Sequence, residues 1–167
     1  MAAGATYTPI ATTTLGSNQA NITFSSISGS YTDLVLIVNG AFTTAETIGI
    51  QYNTDTGSNY SSTILAGSGS SASSGRNTNQ TGLTVGTNGY FTTTIIANSI
   101  IQIQNYSNST TYKTTLSRSN NASVGLDAIV GLWRSTSAIT SIKLYGFYSG
   151  HSFITGTTAT LYGITAA

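Results

Sequence analysis

Residues that favour helices are nearly absent from this chain. Lys, Glu and Met together contribute four of the 167 residues, whereas Thr alone contributes 31. A Thr side chain is branched at Cβ, so the Thr runs at 12–14 and 92–94 fit a strand better than a helix. Short apolar runs alternate with clusters of Gly, Asn and Ser, which are turn formers. The sequence therefore predicts an all-β protein.

Hydrophobic patterning gives the positions of the strands. The run at 34–38 is apolar at every residue, which is typical of an inner strand covered on both faces. Ile101 and Ile103 alternate with Gln102 and Gln104, which places one face of that strand in a core and the other in water or against a partner. The predicted strands are 7–15, 21–27, 33–42, 46–52, 60–65, 82–85, 93–97, 100–106, 111–118, 126–133, 139–147 and 159–164.

The spacing of these strands, about 8–12 residues, is typical of a sandwich or a barrel. A jelly roll fits the number of strands best. We predict a single-domain antiparallel β-sandwich, jelly-roll-like, that covers residues 1–167. The Gly/Ser-rich segment near 66–79 is predicted to be a long surface loop of this domain rather than a linker between two domains.

Charge is scarce. Only 5% of the residues are charged, against about 25% in an ordinary soluble domain, and the net charge is +1. A near-neutral surface rich in hydroxyls suits a protein held in an assembly, because repulsion between neighbouring copies is small. The five basic residues are scattered, whereas nucleic-acid binding needs a clustered basic surface, so no nucleic-acid partner is predicted.

Segments that would direct the chain to a membrane or out of the cell are not recognised. No run approaches the roughly 20 apolar residues of a membrane span. Residues 1–10 lack the basic and apolar regions of a signal peptide. We therefore expect no membrane partner and folding in the cytosol.

Few side chains are available for catalysis. The four acids are widely separated along the chain, whereas a glycosidase needs two carboxylates about 5–10 Å apart. They are Asp33, Glu46, Asp55 and Asp127. Asp33 is predicted to make a hydrogen bond at a strand end, and Asp127 to pair with Arg118 or Arg134. No enzyme activity and no cofactor are predicted.

Two loops carry polar residues that raise the question of a metal. His151 is the single histidine, which excludes a zinc site built from several histidines of one chain, and its neighbours predict an exposed loop or a hydrogen bond to another subunit. Residues 53–59 place side-chain oxygens at alternate positions, loosely as in a calcium loop, without the closing Glu of an EF-hand. A hairpin turn is the other interpretation of 53–59.

Aromatic residues offer two interpretations. The chain has ten tyrosines and one tryptophan. Exposed rings stack on sugars, and tyrosine is also favoured in strands and at protein interfaces. Trp133 is expected in the core or at a subunit interface. The candidate interface residues are Tyr60, Arg76, Tyr90, Tyr106, Tyr112, Trp133, Arg134 and His151.

Several short motifs in a fixed order carry a resemblance. They occupy 7–16, 22–27, 31–36, 105–108, 111–114, 131–136, 138–139 and 160–164, the last reading Thr-Leu-Tyr-Gly-Ile. Together they resemble a group of small β-rich virion structural proteins of tailed bacteriophages, especially of marine and cyanobacterial phages. That group has no established catalytic residues to carry over.

The resemblance implies a non-enzymatic virion protein that is assembled in the host cytoplasm. The first hypothesis is a capsid decoration or cement protein that bridges capsomers, as a homo-oligomer for which a trimer is one arrangement. Its partners would then be the major capsid protein or other virion proteins. The second hypothesis is a tail fibre or receptor-binding module that contacts host surface glycan.

Overall fold

The computed structural model describes residues 6–165, apart from the side chains of residues 88–90. All of the regular structure in these residues is β-strand, which confirms the predicted fold class. The strands are β1 (Tyr7–Thr14), β2 (Asn21–Phe24), β3 (Asp33–Gly40), β4 (Glu46–Tyr52), β5 (Tyr60–Gly67), β6 (Ala72–Gln80), β7 (Leu83–Phe91), β8 (Ala97–Gln104), β9 (Lys113–Asn121), β10 (Gly125–Trp133), β11 (Ile142–Gly146) and β12 (Thr158–Ile164).

The strands form two antiparallel sheets. The wide sheet has the order β1-β12-β3-β8-β9-β10-β5-β6, and the narrow sheet has the order β2-β11-β4-β7. Eight of the strands pair as nested hairpins: β1 with β12, β2 with β11, β3 with β8, and β4 with β7. Further pairs join β12 to β3 and β11 to β4. This nesting is that of a jelly roll.

Two inserted hairpins widen one sheet of the roll. The β5–β6 hairpin lies between β4 and β7 in the chain, and the β9–β10 hairpin lies between β8 and β11. Both continue the wide sheet beyond β8. We call β1, β12, β3 and β8 the roll half of the wide sheet, and β9, β10, β5 and β6 the extension. Strand β7 of the narrow sheet packs across β9 and β10.

The core of the roll lies between the two sheets and is built from aliphatic and aromatic side chains. Leu34, Leu36 and Val38 alternate along β3 and are buried. Ile101 and Ile103 are buried on β8 while Gln102 and Gln104 turn outward, as their alternation predicts. The double covering expected at 34–38 is wrong, because Ile37 points to the outer face of the wide sheet and is 37% exposed.

In the extension, polar side chains are buried along β9, in contrast to the apolar core of the roll. Strand β9 buries every second residue, and each of these is polar: Lys113, Thr115, Ser117, Ser119 and Asn121. Large aliphatic side chains of the extension, such as Leu65 and Val130, lie on its outer face instead. The inner face of the extension is therefore polar along β9, whereas β10 and β5 still bury Ile129, Trp133 and Tyr60 there.

Two segments differ from the strand prediction. The segment near 66–79 is not a long loop, because β5 and β6 pair through it and the connection is only 68–71. Strand β6 is held by backbone pairing to β5. Its Gly, Ser and other polar residues give no hydrophobic alternation from which a strand could be predicted. Residues 93–97 are bent rather than extended up to the start of β8, and Thr92 Oγ1 accepts a hydrogen bond from Ile95 N at 3.3 Å.

Candidate functional site

The outer face of the extension carries an aliphatic patch. Leu65, Leu126 and Val130 are 60%, 61% and 55% exposed. Val130 pairs with Leu116 on one side, and the backbone of Leu65 pairs with that of Ala128. We call Leu65, Leu116, Leu126 and Val130 the aliphatic patch. Burial of side chains of this size is favourable by about 1.5–3 kcal/mol each, so this surface suits a contact with another protein.

Two arginines flank the aliphatic patch. Arg118 is paired with Ala128 across β9 and β10, and Arg76 is paired with Thr63 across β6 and β5. Both side chains are exposed. Arg76 also lines a shallow pocket of about 110 Å³ together with Val130. Arginine is enriched at protein interfaces because its guanidinium combines a planar apolar surface with several donors.

Asp127 ties the extension to the narrow sheet. Its Oδ2 accepts hydrogen bonds from Thr87 N at 2.7 Å and Thr87 Oγ1 at 2.8 Å, and its Oδ1 accepts one from Ser119 N at 3.2 Å. Burial raises the pKa of Asp127, and the hydrogen bonds from Thr87 and Ser119 only partly offset this. The predicted pairing with an arginine is wrong, because the carboxylate points into the interior and Arg118 points outward.

The loop at 53–59 closes around a carboxylate. Asp55 accepts hydrogen bonds from Gly57 N at 2.8 Å, from Asn59 Nδ2 at 3.0 Å and from Trp133 Nε1 at 2.7 Å. Burial alone would raise the pKa of Asp55, but these hydrogen bonds outweigh it and the pKa is lowered. The loop joins β4 of the narrow sheet to β5 of the wide sheet, so the hairpin-turn interpretation is wrong, because these two strands do not pair with each other. The donors of the chain occupy its carboxylate.

Three of the candidate interface residues lie in the core. Tyr60 and Trp133 are stacked at 6.2 Å between ring centres and are buried, and the Tyr60 hydroxyl donates to the carbonyl oxygen of Asp55 at 3.1 Å. Tyr106 is buried and its hydroxyl donates to the carbonyl oxygen of Ser28. Their assignment to an interface is wrong, because these rings fill the space between the sheets.

Two further candidates have partners within the chain. Arg134 Nη2 donates to the carbonyl oxygen of Ser58 at 2.6 Å and to Asn79 Oδ1 at 3.1 Å, which joins two loops beside the extension. His151 is half-exposed, and its Nδ1 lies 3.3 Å from Oε2 of the buried Glu46. Sequence reasoning missed this pair because 105 positions of chain, counted from 46 to 151, separate its members.

The remaining candidates differ in what the structure describes of them. Tyr112 precedes β9 and is 54% exposed, in keeping with a surface role. Tyr90 lies on β7, and its side chain falls outside the described residues. Arg76 belongs to the flank of the aliphatic patch. Of the predicted interface residues whose side chains the structure describes, it therefore brings only Arg76 to that patch.

A second pocket opens on the outer face of the roll half. It has a volume of about 160 Å³ and lies where β1, β12, β3 and β8 run side by side. We call it the Tyr7 pocket; it is lined by Thr6, Tyr7, Asp33, Leu34, Val35, Gln102, Gln104 and Ile164. Asp33 Oδ1 accepts a hydrogen bond from Asn105 N at 2.6 Å, which confirms its predicted role at a strand end. Alternation on β8 predicted that the glutamines face outward, but not that strands distant in sequence would complete a pocket around them.

Clusters of metal ligands and membrane-spanning helices are absent from residues 6–165, which the structure describes. No group of three or more His, Asp or Glu side chains is placed there to hold a metal ion. The same residues include no helix long and apolar enough to cross a bilayer.

Comparison with known proteins gives distant structural likeness only. No family model matches the chain, and no curated protein matches it. A solved structure of a mutant alginate lyase in complex with an alginate trisaccharide aligns over 92% of this chain and 80% of that chain, at 9% identity and a TM-score of 0.32. A TM-score this low does not establish a shared fold.

Proposed function

We propose that this chain is a non-enzymatic structural protein of a phage virion, which decorates the capsid and bridges neighbouring capsomers. The aliphatic patch is the surface that binds the capsid subunits. The observation that carries the proposal is the inversion of polarity in the extension: Leu65, Leu126 and Val130 lie on its outer face, whereas β9 lines its inner face with polar side chains.

The inversion supports an obligatory contact for an energetic reason. Three side chains, Leu65, Leu126 and Val130, are more than half exposed on paired strands. A chain that worked alone would gain stability by turning these residues inward and the hydroxyls outward. The cost of leaving them exposed is recovered if a partner covers the patch in the assembled particle.

Three other features agree with a role in a particle. The order of motifs along the chain resembles that of virion structural proteins of tailed phages. Jelly rolls are a common fold of viral capsid domains. The net charge of +1 allows many copies to lie close together with little mutual repulsion.

The first test is the location of the protein. Purified particles of the phage that encodes this chain would be labelled with a gold-conjugated antibody against it. We expect even labelling over the heads. Absence of the chain from both intact and disrupted particles would overturn the proposal.

The second test addresses the aliphatic patch. Particles that lack the protein would be mixed with purified wild-type chain or the Val130→Asp variant, and binding would be measured by co-sedimentation. A buried charge without a partner should weaken binding at least tenfold, since an interface anchor contributes about 2 kcal/mol or more. Thr14→Asp adds the same charge to the outer face of the roll half and serves as the matched control. Equal binding of both variants would refute the assignment of the patch.

A second candidate function keeps the virion but moves the chain to the tail, where it would contact host surface glycan. The observation that favours it is the Tyr7 pocket, which combines an exposed aromatic ring with amide and carboxylate groups. Gold confined to the tails would favour this candidate over capsid decoration.

A further inference from the structure

We propose that the Tyr7 pocket binds a neutral sugar, with the Tyr7 ring against the C–H face of the sugar and Asp33, Gln102 and Gln104 bonded to its hydroxyls. The inference deepens the second candidate function, and it rests on that candidate only for the biological source of the sugar.

The floor and wall of the pocket are set by the register of four strands. Val35 is paired with Gln102 on β8 and with Tyr162 on β12, and Asp33 is paired with Ile164. The side chain of Val35 is buried although it belongs to the outer face, so it forms an apolar floor.

The aromatic wall is held in place. The Tyr7 ring packs edge-on against that of Tyr162, with 6.2 Å between centres and 79° between planes. Its side chain is nevertheless 55% exposed. An exposed ring fixed by a neighbour offers a flat surface at low cost in conformational entropy, which suits stacking on a pyranose.

Polar groups at the rim retain free hydrogen-bonding capacity. Within the described residues, Asp33 Oδ1 is used by Asn105 N, whereas Oδ2 makes no hydrogen bond. Gln104 Oε1 accepts from Thr114 Oγ1 at 3.3 Å, and its amide nitrogen has no acceptor there. The Gln102 side chain likewise makes no hydrogen bond to the described part of the chain. A carboxylate oxygen and two amides together match the mixed donors and acceptors of sugar hydroxyls.

The charge of the pocket selects among sugars. Among the described residues that line the pocket, Asp33 is the one charged residue, and none of them is basic. A uronic or sialic acid would place its carboxylate near that of Asp33 without a compensating cation. The pocket volume of about 160 Å³ is well below the roughly 300–1,000 Å³ of sites that enclose drug-sized ligands, so it would hold one sugar unit of a glycan.

The test is an NMR titration of the ¹⁵N-labelled full chain with methyl glycosides of glucose, mannose and galactose, and with methyl glucuronide. We expect shifts of the amides of Tyr7, Val35 and Gln102 with at least one neutral sugar. Tyr7→Ala should weaken that binding about tenfold, in line with the contribution of an aromatic stacking contact. Tyr112→Ala removes a tyrosine of similar exposure at another position and should leave the affinity unchanged. A thermal melt of each variant shows that it is folded.

Three results would overturn the inference: no shifts with any neutral sugar, stronger binding of the glucuronide, or equal losses in Tyr7→Ala and Tyr112→Ala. Its failure is separable from that of the proposed function, because antibody labelling does not depend on sugar binding. If the protein binds a sugar and is found on the heads, the proposed sugar site is supported and the tail location is contradicted.

Discussion

Strands β8 and β9 are neighbours in the wide sheet and bury alternate residues on the same face, yet they fill it differently. Strand β8 contributes Ala97, Ser99, Ile101 and Ile103, whereas β9 contributes Lys113, Thr115, Ser117, Ser119 and Asn121. The inner face of the wide sheet therefore changes from mainly apolar on β8 to polar on β9.

The polar interior of the extension is held by hydrogen bonds. Ser119 Oγ donates to the carbonyl oxygen of Val85 at 2.9 Å, and Thr115 Oγ1 shares a hydrogen bond of 2.7 Å with the Tyr52 hydroxyl. Lys113 Nζ donates to the carbonyl oxygens of Thr111 and Thr136, and burial lowers its pKa. At Lys113, Thr115 and Ser119 of β9, hydrogen bonds take the place of apolar contacts across the sandwich.

The largest expected difference between the two halves concerns leucine. Leu36→Ala in the roll half should reduce the free energy of unfolding by about 3 kcal/mol, since it leaves a cavity in a closed core. Leu65→Ala in the extension should change it by about 0.5 kcal/mol or less, because that side chain is already in water. Urea unfolding of the isolated chain measures both. Similar losses at the two positions would mean that the extension is not inverted.

A substitution at Asp127 tests whether its hydrogen bonds to Thr87 and Ser119 hold the extension against the narrow sheet. Asp127→Ala should cost about 2–3 kcal/mol, because the backbone N–H groups of Thr87 and Ser119 lose their acceptor in a buried place. Asp33→Ala at the start of β3 is the matched control, with one hydrogen bond at a partly exposed site. Its expected loss is about 1 kcal/mol or less. Denaturant midpoints that fall equally for both variants would show that the hydrogen bonds of Asp127 do not contribute more to stability than the single bond of Asp33.

The contrast between the halves also explains what the sequence could predict. Alternation at Ile101 and Ile103 identified the inner face of β8, because aliphatic residues there lie inside. The same rule fails at β9, where it would place the aliphatic Leu116 inside, although Leu116 lies on the outer face and Ser117 is buried. Which face of β9 turns inward depends on whether its hydroxyls find hydrogen-bond partners across the sandwich. One such partner is the carbonyl oxygen of Val85 on β7, a strand that is not adjacent to β9 in the sequence.

The candidate sites were less accessible to sequence reasoning than the fold. For Trp133 the sequence allows the core or an interface, and the burial of its ring decides for the core. Strand β6 was missed because pairing with β5, rather than its own composition, makes it a strand. The Tyr7 pocket needs four strands whose neighbours in space are far apart in the chain. Local sequence patterns predict which residues of a strand alternate between its two faces. A site formed by several strands can be predicted only if the order of those strands in the sheet is known.

A smaller effect of opposite sign is expected within the polar interior. Among the described residues, Ser117 Oγ is buried without a hydrogen-bond partner. Ser117→Ala should therefore raise the free energy of unfolding by about 1 kcal/mol, since an unsatisfied buried hydroxyl is unfavourable. Ser119→Ala, which removes two hydrogen bonds of the same strand, should lower it. Thermal melts of the two variants that shift in the same direction would contradict this reading of the extension.

The smallest expected effect is a difference in how Asp55 and Asp127 make stability depend on pH. The pKa of Asp55 is lowered from 3.8 in the folded protein, so its contribution to stability is present above that value and is lost as the pH falls through the lower, folded pKa. The pKa of Asp127 is raised, so its linkage has the opposite sign: stability declines as the pH rises from 3.8 through the folded pKa. Asp55 accepts its hydrogen bond from the single tryptophan, Trp133, whose fluorescence should follow the protonation of Asp55 with a midpoint below 3.8. The Asp55→Asn variant should abolish that transition while Asp127→Asn retains it; a midpoint above 3.8 in the wild-type chain would show that the hydrogen bonds around Asp55 do not outweigh its burial.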